Sequence, residues 1–161
     1  MIRTLGLSLL LLGGILVSFE YAKYVDNRLR AEESILAFLS FLRREVGCYS
    51  RPLGTAVGHF SDEVLESCGF LPALRKNEII ADCANNALQI LPVGEEFRAM
   101  FSSFGENFGT GYRDGELKIL DGYLEEGERL LASDRRNLPR GVRLFRTLSL
   151  SVTLGLVIML L

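Results

Sequence analysis

The chain has 161 residues, 48% of them hydrophobic and 24% charged, with a net charge of −2 at pH 7 and no tryptophan. So small a charge excludes a global field drawing the protein to nucleic acid. The three cysteines are widely spaced and form no CxxC pair, which fits reduced, buried thiols in a reducing compartment.

Residues 4–19 and 147–161 carry no charged side chain. Every acidic residue, and every basic residue but Arg3, lies between Glu20 and Arg146. The ends are therefore predicted to be membrane anchors. About 125 residues remain between them, enough for one modest core.

The first apolar run is Leu5–Phe19. At about 1.5 Å per residue it falls short of a hydrocarbon core of about 30 Å, and extension to Met1 and Tyr24 closes the gap. Tyr21 and Tyr24 suit an aromatic belt, and Lys23 can snorkel to the headgroups. The rival reading is a cleaved signal peptide with Arg3 as its basic end. No small-x-small site supports it: Val17-Ser18-Phe19 and Glu20-Tyr21-Ala22 place bulky or charged residues where small ones are needed. A pilin-like reading is weaker still, because Glu20 ends the run instead of interrupting it.

Beyond the anchor, Ile35, Leu39, Leu42 and Val46, with Phe38 beside them, form one apolar stripe on a long helix over roughly 24–47. No Pro or Gly separates it from the anchor, so the two can be continuous, and Gly47 ends the helix. Pro52 can open a second helix carrying Leu53, Val57 and Phe60. A third, near 62–75, is interrupted by Gly69 and Pro72. Asn77 can cap a fourth, with Ile80, Ala84, Ala87 and Leu91 on one face; Pro92-Val93-Gly94 breaks it. The fifth carries Phe97, Met100, Phe101, Phe104 and Phe108, a stripe read as core in preference to a binding groove. Gly109-Thr110-Gly111 ends it. The sixth carries Leu117, Leu120, Leu124 and Leu131, and Pro139 is expected to kink or break it at Leu138.

The second apolar run, Thr147–Leu161, closes the sequence, with Leu144 and Phe145 extending it and Arg146 snorkelling. A tail removed during glycolipid anchoring would need a polar spacer, where Arg143 and Arg146 stand. Lys23, Arg28, Arg30, Arg135, Arg136, Arg140, Arg143 and Arg146 lie on the central side of the two runs, against Arg3 outside. The positive-inside rule then puts the centre in the cytoplasm and both termini across the membrane.

Strand signals are absent. The expected fold class is all-α: an antiparallel helical bundle of about six helices with N- and C-terminal transmembrane helices. The expected boundaries are an anchor over 1–23, a cytoplasmic helical domain over 24–143 and an anchor over 144–161.

No constellation for chemistry stands out. His59 is the single histidine, and a lone helical histidine is most often a surface or packing residue. Cys48, His59, Cys68 and Cys83 match no compact zinc spacing. The glycines Gly105, Gly109 and Gly111 are not followed by the GK[ST] of a phosphate loop and read as helix termination. The acidic pairs Glu95-Glu96 and Glu125-Glu126 read as solvated faces, the first also suiting a helix N-terminus. No catalytic residue, cofactor or metal is expected.

Several short motifs carry a resemblance. Phe104-Gly105-Glu106-Asn107-Phe108-Gly109 is similar to an FGxxLG element. Leu5-Gly6, the exit Phe19-Glu20-Tyr21-Ala22-Lys23, Arg51-Pro52-Leu53 and the closing Gly155–Leu161 match as well. With the anchor–helical domain–anchor layout, they resemble the stage III sporulation protein AB family over nearly the whole chain. The sequence departs where that family continues with Asp and Gln and this chain has Tyr112 and Glu116, and where Gly127 and Pro139 interrupt a smoother helix.

The resemblance implies an endospore-forming bacterium and a place in the channel complex linking mother cell to forespore. It implies kinship with the platform protein F of type II secretion systems. The expected role is a non-enzymatic platform in the mother-cell-side membrane around the forespore. Its expected partners are the lipid bilayer, a stage III sporulation protein AA-like cytoplasmic ATPase and other membrane components of the channel, without nucleic acid; homo-oligomer formation is left open. A generic membrane adaptor outside sporulation, or a membrane-anchored enzyme using His59 and a cysteine, are the rival readings. The expected partner-binding surface is the turn at Gly105, Glu106, Gly109, Asp114 and Glu116. Three acids stand close together there against Arg113 alone, and a basic patch on the ATPase could steer to them.

Overall fold

The computed structural model describes residues 2–48, 57–76, 78–109 and 112–160. For 2–12, 14, 48, 153 and 156–160 it describes the backbone only. Among the described residues all regular structure is helical: α1 (Ile2–Cys48), α2 (Glu63–Ser67), α3 (Phe70–Arg75), α4 (Ile80–Ile90), α5 (Glu95–Asn107) and α6 (Arg113–Leu160). The chain divides into two compact units, Arg28–Ser133 and the paired ends Met1–Asn27 with Asp134–Leu161.

In the central unit, the expected stripe on α1 is the core. Ile35, Phe38, Leu39 and Leu42 have no exposed surface, and Val46 packs against them. The proposed Pro52 start of a second helix lies outside the described residues, although Val57 is buried and Phe60 packs on the core. The 62–75 region divides as its glycine suggested. Asp62 caps α2, its Oδ1 accepting from the Leu65 N–H at 3.0 Å. Gly69 then turns the chain at φ +81°, in the left-handed region that favours glycine. Pro72 sits within the first turn of α3, where no intrahelical donor is needed, so it is accommodated.

The anticipated cap Asn77 also lies outside the described residues; α4 starts after Ile79. Its inner face carries Ile80, Cys83, Ala84, Ala87 and Leu88. The break at 92–94 leads into α5, which returns antiparallel along α4. The Arg98 guanidinium donates to the Leu88 carbonyl at one end, and Gly105 meets Ala81 and Ala84 at the other. All five residues of the α5 stripe are buried. Phe38–Phe70 (5.1 Å), Phe70–Phe101 (5.5 Å) and Phe104–Tyr123 (5.7 Å) carry ring contacts from α1 through α3 and α5 to α6.

The first part of α6 runs antiparallel to α1 within this unit. Arg113 Nε donates to the Val46 carbonyl at 3.1 Å, and its guanidinium also reaches Gly47; Arg43 pairs with Asp121. Further along, Gly127 is buried beside Leu36 and Met100, and a Cβ there would lie 2.5 Å from Leu36 Cδ2. One acid belongs to this core: Glu32 is fully buried, and its Oε1 accepts from Arg28 Nε at 3.2 Å and from the Gly94 N–H at 3.1 Å.

The terminal unit pairs the start of α1 with the end of α6. Tyr21 and Phe145 meet ring to ring at 4.9 Å, and the Tyr21 hydroxyl lies beside Gly141. Ile15, Leu16, Val17, Phe19, Leu144, Leu148, Leu150, Val152 and Leu154 are exposed. Of the kink or break expected at Pro139, the break does not occur; α6 continues through it. A proline removes one backbone donor and crowds the carbonyl four residues earlier, and the turns on either side maintain the helix.

Among the described residues, no helix is long and apolar enough to cross a membrane. The transmembrane expectation falls partly on side chains outside that description, at 2–12, 14, 153 and 156–160.

Candidate functional site

The turn from α5 to α6 holds all five expected partner-binding residues, and their environments divide them. The last turn of α5 is pinned by Phe104, fully buried against Phe101, Phe108 and Tyr123. Gly105 follows because α4 is too near for a side chain: a Cβ would stand 3.1 Å from the Ala81 Cα and 3.2 Å from the Ala84 Cβ. Glu106 points to solvent. Asn107 Nδ2 donates to the Ser103 carbonyl at 2.8 Å and to the Tyr123 hydroxyl at 3.1 Å, and Ser103 Oγ lies 2.8 Å from that hydroxyl.

Phe108 caps α5, its N–H reaching the Phe104 carbonyl at 2.9 Å, and Gly109 turns out of the helix at φ +92°. This is a left-handed helix stop, which glycine adopts without strain. Thr110 and Gly111 lie outside the described residues. Tyr112 is 95% exposed, and Asp114 is exposed.

Glu116 differs from the other two acids. It is 6% exposed, and its Oε2 accepts from the Gly109 N–H at 3.0 Å. It holds the turn together from inside. Arg113, expected to oppose the acids, is directed to the last carbonyls of α1, where a cation suits the negative end of a helix. The outward acids of the turn are therefore Glu106 and Asp114.

The residues of the enzyme reading differ in burial. His59 is exposed, whereas Cys68 and Cys83 are buried free thiols, and the Cys48 side chain lies outside the described residues. Burial pushes both thiols above their ordinary range, so at neutral pH they are protonated and poorly nucleophilic. Among the described residues no group of three or more His, Cys, Asp or Glu side chains is placed to hold a metal ion.

Two structural polar groups went unnoticed in the sequence. Glu32 had a readable signal: with Ile35, Leu36 and Leu39 it occupies the buried face of α1, as the lone acid in that phase. The Ser103–Asn107–Tyr123 cluster had none, because it joins two helices through a turn.

The motif Phe104–Gly109 thus encodes a joint: two buried rings, a close helix crossing and a left-handed stop. A family model for stage III sporulation protein AB matches residues 3–161. The chain belongs to the stage III sporulation protein AB family. The resemblance carried by the short motifs therefore holds over nearly its whole length, and the protein is a stage III sporulation protein. No curated protein and no solved structure matches it.

Proposed function

We propose that this member of the stage III sporulation protein AB family is a non-enzymatic membrane platform. Its terminal helices sit in the mother-cell-side membrane around the forespore, and its central unit faces the cytoplasm and docks the ATPase of a secretion-like channel complex. The observation that carries the reading is the surface of the terminal unit. Large apolar side chains such as Leu16, Phe19, Leu144 and Leu148, each more than 60% exposed, stand where a water-facing helix pair would carry polar ones. The eight basic residues on the central side of the apolar runs support the orientation.

The docking surface we favour is the exposed part of the α5–α6 turn, with Glu106, Tyr112 and Asp114. Acids on a loop held by rigid helices suit a basic partner surface. Glu116 is excluded as a probe because it braces the turn.

Two measurements test this reading. A Glu106→Cys variant in a background free of native cysteines should be shielded from an impermeant thiol reagent in intact cells; labelling there would reverse the orientation. Charge reversal of Glu106 and Asp114 together should weaken co-purification with the ATPase at low salt by about fivefold, and less at high salt. Unchanged co-purification removes the turn from the docking surface.

A further inference from the structure

The geometry points to the cleft between the paired terminal helices as a binding site for one anionic phospholipid, with its phosphate on Arg146 and an acyl chain along the apolar lining. The cleft measures about 270 Å³. Ile15, Phe19 and Ala22 from α1 and Val142 and Leu150 from α6 line it, and Arg146 is its one cation. The helices are held at this level by the Tyr21–Phe145 contact, so the cleft lies beside a packed seam.

Three features select the ligand. The lining is apolar apart from Arg146 and the small Ser18, and suits a hydrocarbon chain. Arg146 makes no ion pair among the described residues, no acidic residue follows Asp134, and Glu20 is the one acid before Asp26 on the paired stretch of α1. A guanidinium at the edge of an apolar surface takes a phosphate well, both by charge and by its forked donors. Basic pockets between membrane helices on the cytoplasmic side recognise anionic headgroups in this way. Arg140 and Arg143, on the same stretch of α6, add to the local positive field.

The inference rests on the membrane reading proposed above, and the experiment separates the two. Membranes containing the full-length protein are first washed with alkaline carbonate. Release of the protein overturns the membrane reading and this site with it. The retained protein is then reconstituted in nanodiscs of equal parts phosphatidylglycerol and phosphatidylcholine and extracted into mild detergent. Retained lipid is counted by native mass spectrometry.

Phosphatidylglycerol should be retained in preference to phosphatidylcholine. Arg146→Gln should lower its retention about fivefold, and Arg146→Lys should preserve most of it. Ala22→Leu, which fills the cleft, should lower retention of both lipids. Equal retention of the two lipids, or variants indistinguishable from the parent, would overturn the site while leaving the membrane reading in place. A Ser18→Cys variant that crosslinks to a second polypeptide, abolished by Ala22→Leu, would overturn it in favour of a helical occupant.

Discussion

Between Arg28 and Ser133, the phenylalanines Phe38, Phe70, Phe97, Phe101 and Phe104 are fully buried, and the exposed faces of α4, α5 and the first part of α6 carry mostly polar groups. In the terminal pair, Phe19 and a succession of leucines stand outward. The same residue types thus meet opposite surroundings within single helices: α1 and α6 each contribute to both units. Burying a large apolar side chain gains about 1.5–3 kcal/mol. Water explains the central unit; for the terminal pair, the bilayer proposed above would supply an apolar exterior.

The sharpest way to break this comparison is a matched pair of truncations in the full-length protein in detergent. Phe101→Ala should lower the stability of the central unit by about 3–5 kcal/mol, read from helical melting. Phe19→Ala should change the same melt by under about 0.5 kcal/mol while weakening membrane retention. Equal effects on melting would mean that Phe19 belongs to a packed core.

The buried carboxylate comes next. Glu32→Ala removes the acceptor of both Arg28 and the Gly94 N–H, and should cost about 2–3 kcal/mol; Glu32→Gln preserves an acceptor and should cost less. A smaller contrast separates two glycines. Gly105→Ala places a methyl against α4 backbone and should destabilise by about 1–2 kcal/mol. Gly122, with open space around it, should gain about 0.5–1 kcal/mol on replacement by Ala.

The mildest effect is on pH dependence. Both described thiols are raised in the folded state by burial, so the native protein holds their protons more tightly than the unfolded chain. Their contribution is fully present below about pH 8.5 and is lost as pH rises above it. The urea midpoint should therefore fall more steeply on the alkaline side than in a Cys68→Ala, Cys83→Ala variant. Parallel curves would remove the thiols from the balance.

Much of the central unit was legible because helical periodicity is a local signal. The stripes on α1, α4 and α5 and the breaks at Gly94 and Gly109 follow from spacing and backbone freedom alone, whereas Gly47, expected to end its helix, lies within α1. Of the kink or break expected at Pro139, the break does not occur, because one missing donor is a local penalty and the helix on either side is long. The candidate turn was legible as a place but not as a set of roles. Spacing put Glu106, Asp114 and Glu116 together without distinguishing two solvated acids from one turned inward to the Gly109 amide. Nor did it reveal that Arg113 serves the end of α1, 66 residues earlier at Gly47. Such assignments depend on which helices become neighbours.

Gly127 has a mechanical consequence. It leaves a notch in α6 that Leu36 of α1 occupies. A slide of one helical turn, about 5.4 Å, would bring Tyr123 or Leu131 to that level instead, and neither leaves room for Leu36. Within the central unit the notch therefore favours one register of the two helices, since any other requires Leu36 to repack. A single missing side chain thus helps set the height at which α1 and α6 meet.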